Sequence, residues 1–176
     1  DTADNNGDTD ISAIYSVAAG ALTVASGKHL FIPSSNTYAP GGNITLTGNF
    51  TNNGTYTKGT ETININGTGS QTIKTNSSQL YNLTQNGSGG TYTLQDAVSV
   101  ANNLTITAGT LDVSGSNYGV TVGGNWSNSG TFTAQTLTTT GGGLTIGGGT
   151  INHPATTSGT TYTLNANLGG AFLMTA

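Results

Sequence analysis

Four of the seven acidic residues fall within the first ten positions, at Asp1, Asp4, Asp8 and Asp10, with Asn5, Asn6 and Gly7 between them. Oxygen donors that alternate at Asp4, Asn6, Asp8 and Asp10 form the dense, hard set that a calcium ion takes. Gly7 is displaced from the glycine position of an EF-hand loop, and no glutamate follows at the distance of its bidentate ligand. The segment therefore reads either as an irregular calcium site or as a solvated acidic leader. The remaining acids, Glu61, Asp96 and Asp112, are separated by 35 and 16 residues. Glycan cleavage needs two carboxylates flanking one bond, so a glycosidase reading requires these acids to meet across distant segments. His29 and His153, the only two imidazoles, are far apart, and His153 precedes Pro154. Both read as surface residues. No H-E-x-x-H zinc motif and no serine nucleophile elbow occurs, and the chain is expected not to be an enzyme.

Those few reactive groups are embedded in a chain of 176 residues in which Thr (35), Gly (28), Asn (20) and Ser (15) occupy 98 positions. All four types are weak helix formers, which excludes a helix bundle. There is no Arg and the formal charge is -4, so little is present to neutralise a phosphate backbone, and nucleic acid is not an expected partner. The absence of Cys removes disulfides and thiolate chemistry together. No window approaches 18 continuous apolar residues, so no membrane span is expected. A chain that opens at Asp1 without Met reads as a processed, exported one, and the expected location is extracellular, secreted or at the cell surface.

The elements that must position any site are short strands. Leu22-Thr23-Val24, Ile44-Thr45-Leu46, Thr62-Ile63-Asn64-Ile65, Leu104-Thr105-Ile106, Val120-Thr121-Val122 and Leu144-Thr145-Ile146 alternate apolar with small polar residues. That period of two buries one face of a strand and wets the other. Asn53-Gly54, Asn66-Gly67 and Asn86-Gly87 punctuate the strands with residues that tolerate tight corners. An internal repeat is the most specific signal: the ten residues from Gly48 to Thr57 return as Gly124 to Thr133, an offset of 76. Leu22 to Gly27 returns as Leu104 to Gly109 at an offset of 82. The simplest reading of the difference is a six-residue loop insertion around Pro33 to Pro40. Strands this short and this evenly spaced suit a solenoid with three strands per coil and about seven coils. Phe50, Tyr56, Trp126 and Phe132 are then interior residues at equivalent places. The expected fold is all-β, a single parallel β-helix or β-solenoid of short strands with Gly/Asn corners and almost no helix. Its expected parts are an acidic leader and N-terminal cap over 1–21, the solenoid over 22–164 and an apolar edge strand or tail over 165–176.

The runs Gly48 to Thr57, Gly67 to Ile73, Leu80 to Val100, Asn102 to Val113 and Val120 to Ala134 resemble the repeats of large Thr/Asn/Gly-rich bacterial surface and secreted proteins. The resemblance spans roughly Leu22 to Ala134. It implies a right-handed parallel β-helix of the adhesin kind and carries no catalytic residues with it.

A solenoid leaves unpaired strand edges at its first and last coils. The uncharged, apolar stretch containing Phe172, Leu173 and Met174 suits pairing with another chain, as does the acidic start at Asp1, Asp4, Asp8 and Asp10. The expected partners are copies of the chain itself, stacked head to tail, together with surface glycans. The expected function is an extracellular structural protein, a filament subunit or adhesin segment. A carbohydrate- or ice-binding module is the alternative, and a polysaccharide-degrading β-helix enzyme the second alternative. Thr-x-Thr triplets beginning at Thr45, Thr55, Thr91, Thr105, Thr131, Thr138 and Thr161 motivate the ice reading, although their uneven separations argue against one flat rank. Nine Asn-x-Ser/Thr sequons, among them those at Asn43, Asn82, Asn103 and Asn125, allow N-glycosylation where the source has the machinery.

Overall fold

The computed structural model describes residues 9–10, 15–16, 20–113, 115–116, 118–133, 144–146 and 151–152. Within them the chain is an all-β parallel solenoid with no helix. Its first sheet stacks β1 (Thr9–Asp10), β4 (Leu30–Ile32), β7 (Phe50–Asn52), β10 (Ser70–Lys74), β12 (Thr91–Leu94), β15 (Thr110–Asp112) and β18 (Thr131–Thr133). The second stacks β3 (Leu22–Thr23), β6 (Ile44–Leu46), β9 (Thr62–Ile65), β11 (Asn82–Gln85), β14 (Leu104–Ile106), β17 (Trp126–Asn128) and β20 (Ile151–Asn152). The third face is split in two. One half is β2 (Tyr15–Ser16), β5 (Thr37–Ala39) and β8 (Thr55–Tyr56); the other is β13 (Val98–Val100), β16 (Val120–Val122) and β19 (Leu144–Ile146). Between the halves the fourth coil contributes only Leu80, in an isolated bridge to Val100. About five turns are complete between Leu22 and Thr133.

Alternation dictates this arrangement. In β6 and β9, Ile44, Leu46, Ile63 and Ile65 are buried while Thr45 and Asn64 between them face outward. The ladders then place like on like: Ile44 pairs with Ile63, Ile63 with Leu83, and Leu83 with Leu104. Burying each such side chain contributes about 1.5–3 kcal/mol, and the column can be extended by any coil that supplies an aliphatic residue at the same place. Between Leu22 and Phe132, partners in adjacent coils lie 18 to 23 positions apart. Corners absorb this variation, and three of them, at Gly27, Gly89 and Gly109, use positive φ between the second and first sheets.

Two details of the repeat differ from the sequence reading. The residues around Pro33 to Pro40 are not a loop insertion, because they contain β5, whose Tyr38 is buried in the core. The two copies of the ten-residue repeat do not occupy equivalent places either. Phe50 and Trp126 are both buried, but Phe50 belongs to the first sheet and Trp126 to the second. Leu22 and Leu104 share the second sheet. The six-residue difference between the offsets is thus about one face, a third of a turn. What repeats is a strand, its corner and the next strand. Each copy keeps the same edge-to-face aromatic pair, Phe50 against Tyr56 at 5.8 Å and Trp126 against Phe132 at 4.8 Å.

Candidate binding face

The second sheet presents outward a regular polar lattice. Coil by coil, its outward residues are Asn43, Thr45 and Thr47; Thr62, Asn64 and Asn66; Asn82, Thr84 and Asn86; Asn103, Thr105 and Thr107; and Asn125, Ser127 and Ser129. The central residue of each triplet stands between two buried residues of its own strand, so the pleat fixes its direction. Coils are about 4.8 Å apart and outward neighbours along a strand roughly 6.8 Å apart. Thr at the central position is stiff at χ1, which holds its hydroxyl in register.

The first file of this lattice stitches the coils together. Asn43 Oδ1 accepts the Thr62 N–H at 2.9 Å, Asn82 Oδ1 accepts the Asn103 N–H at 3.1 Å, and Asn103 Oδ1 accepts the Asn125 N–H at 3.0 Å. Asn102 adds a side-chain bond to Asn82 at 3.0 Å. The asparagines of four sequons therefore sit at one structural position, and at three of them, Asn43, Asn82 and Asn103, the amide reaches the next coil. The central file, Thr45, Asn64, Thr84, Thr105 and Ser127, runs in unbroken register. It was not legible as Thr-x-Thr, because the triplets are distributed: those at Thr45 and Thr105 lie on this face, Thr91 and Thr131 on the first sheet, and Thr55 on the third face. Asn and Ser fill the places between. The triplets at Thr138 and Thr161 lie outside the described residues.

Lys28, Lys58, Glu61, Lys74, Asp96 and Asp112 all lie away from these fifteen positions, and no aromatic residue occupies one, so the face is uncharged. The three acids have structural employment or separate directions. Glu61 is buried, where its Oε1 accepts the Tyr56 hydroxyl and its Oε2 the Gly59 N–H at 2.7 Å. Burial, the bond to Glu61 and the charges of Glu61 and Tyr38 all raise the Tyr56 hydroxyl above its ordinary pKa. Tyr38 is pushed up to about 12, by burial first and then by the Glu61 charge. Asp96 caps the corner after β10, accepting the Thr75 N–H at 2.9 Å and the Asn76 N–H. Asp112 faces outward in β15, paired with Thr93 and Thr133. His29 caps another corner, its Nδ1 accepting the Asn49 N–H at 2.6 Å. Among the described residues no three His, Asp or Glu side chains gather as a metal site.

Of the residues singled out in the sequence for calcium or assembly, Asp10 lies in β1, its backbone paired with Phe31. Asp1, Asp4, Asn6, Asp8, Phe172, Leu173 and Met174 lie outside the described residues, as does His153. An open depression of about 240 Å³ on the third face, where that face is split, is lined by Ser77, Ala97, Val98, Ser99, Gly119 and Thr121. It offers no acid, base or nucleophile stronger than a hydroxyl. No helix among the described residues is long and apolar enough to cross a membrane. No protein-family model matches the chain, and neither the curated proteins nor the solved structures yield a match.

Proposed function

We propose that the chain is an extracellular, non-enzymatic structural protein, a filament subunit or adhesin segment whose solenoid extends by stacking on further copies. The observation that carries this reading is the pair of long parallel ladders. They run from β1 to β18 and from β3 to β20, and each terminal strand has a ladder partner on one side only among the described residues. A strand with a free row of amide groups is a template for another strand. A heterologous contact of that kind produces an open fibre unless its rotation closes. The employment of Glu61 and Asp96 within the fold supports a non-enzymatic role. Sedimentation and electron microscopy of the intact chain test the proposal. Elongated oligomers are expected, reduced to monomers by deleting 1–10 or 172–176, and a monodisperse monomer would overturn it.

A second reading is favoured by the uncharged lattice of the second sheet. A neutral, periodic array of hydroxyls and amides suits a neutral, periodic ligand such as a surface glycan chain or the lattice of ice. The lack of an outward aromatic on that face removes the usual stacking platform for sugars. Thermal hysteresis that disappears on Thr84→Lys would establish ice as the ligand, and retention on immobilised neutral glycans would establish the other.

A further inference from the structure

The described residues contain three Asn-Gly pairs, Asn53-Gly54, Asn66-Gly67 and Asn86-Gly87, each followed by Thr or Ser. Asn-Gly is chemically labile because glycine leaves the following backbone nitrogen unobstructed. That nitrogen attacks the asparagine Cγ, forming a Cγ–N bond and expelling the side-chain nitrogen as ammonia, and the Gly proton passes to the leaving group through solvent. Water then opens the resulting succinimide at either carbonyl, giving aspartate or isoaspartate. The only co-reactant is water. The local sequences of the three pairs are nearly identical, so any difference in their reactivity must come from the fold.

The fold treats them differently. At Asn53, the side-chain Oδ1 is held by Lys74 Nζ at 2.6 Å, and the attacking nitrogen of Gly54 donates its N–H to Asn52 Oδ1 at 3.0 Å. At Asn66, the Gly67 N–H donates to the Tyr92 hydroxyl at 3.1 Å, and Gly67 is buried. Both nucleophiles are occupied, and both amides are held or enclosed. Asn86 is exposed and makes no side-chain hydrogen bond among the described residues; Gly87 is buried, as Gly67 is, but its N–H has no acceptor there. We propose that Asn86 is the modification site of the solenoid body, deamidating spontaneously while Asn53 and Asn66 are protected. Asn86 stands in the third file of the second sheet, between Asn66 and Thr107. Deamidation there installs the first negative charge on the neutral face. The isoaspartate product also lengthens the main chain by one atom where Asn86 donates its N–H to the Ile65 carbonyl at 2.9 Å. The inference is independent of what that face binds.

Peptide mapping of the intact chain, after incubation at mildly alkaline pH and 37 °C, tests it. Asn86 is expected to convert roughly tenfold faster than Asn53 and Asn66, the factor that about 1.4 kcal/mol of protection yields. The same incubation in guanidinium chloride is expected to bring the three rates together, which assigns the difference to the fold. Tyr92→Phe frees the Gly67 N–H and is expected to raise the Asn66 rate while leaving that at Asn53 unchanged. Equal native rates, a faster Asn53 or Asn66, or an inert Asn86 in the folded chain would each overturn the proposal.

Discussion

Asn52 and Gly54 close one corner of the solenoid between them: the buried Asn52 Oδ1 accepts the Gly54 N–H at 3.0 Å. The same side chain donates from Nδ2 to the Thr75 carbonyl of the next coil at 2.7 Å, so one amide both turns the chain and joins two coils. Asn128 and Gly130 repeat the turn at 3.0 Å. An inward asparagine is costly unless satisfied, and here it is satisfied by groups that would otherwise be orphaned at the bend.

Replacing Asn52 with Ala leaves the Gly54 N–H and the Thr75 carbonyl without this partner. The expected loss of stability is about 2–3 kcal/mol. Asn86→Ala, an exposed change with no bond to break, is expected to cost less than about 0.5 kcal/mol. Urea unfolding midpoints compare the two, and equal midpoints would contradict the role given to Asn52.

Gly27 and Gly109 have nearly the same backbone, with φ of 74° and 75°, but different surroundings. A Cβ at Gly27 would meet nothing within 4 Å, whereas one at Gly109 would lie 2.2 Å from the Gly87 carbonyl oxygen of the preceding coil. Gly27→Ala is therefore expected to cost about 1 kcal/mol, from the left-handed backbone alone. Gly109→Ala adds overpacking against main chain, about 1–3 kcal/mol more. Thermal unfolding of the two variants should separate them in that order.

Alkaline pH is expected to unfold the solenoid through its buried tyrosines. Tyr38 is raised to about 12, and Tyr56 and Tyr92 are raised chiefly by burial. A hydroxyl whose folded pKa exceeds its unfolded value near 10 stabilises fully below pH 10 and loses that contribution as pH climbs through the folded value. Melting temperature should be flat in this respect between pH 7 and 9 and should fall from about pH 10 upward. Tyr38→Phe should weaken that fall, and an unchanged alkaline profile in this variant would reject Tyr38 as a contributor.

The sequence reveals the solenoid because interior and exterior alternate strictly, as at Ile44, Thr45 and Leu46 or Val120, Thr121 and Val122. It conceals the coil period because corners differ in length. Asn86 to Gly90 takes five residues to turn where Thr107 to Gly109 takes three, so no fixed spacing marks a turn. The lattice on the second sheet was hidden for a related reason. Its central file substitutes Asn64 and Ser127 for Thr, and only the ladder register shows that these are neighbours of Thr45 and Thr105. The readable signal was Asn two residues before Thr or Ser around an apolar residue, at Asn43, Asn82, Asn103 and Asn125. That pattern is a sequon in form and, at the first three, a coil-to-coil stitch in structure.

The shift of Phe50 and Trp126 onto different faces bears on how such a chain can lengthen. Because the strand with its corner works equally well on the first sheet and the second, the smallest heritable addition is one side of the triangle and not a whole coil. Gaining or losing one such side leaves the interior aliphatic and the packing rules intact, yet rotates everything that follows by a third of a turn. A tandem duplication could therefore move a polar lattice from one side of the rod to another in a single event, changing which surface faces a neighbour without altering a residue of that lattice.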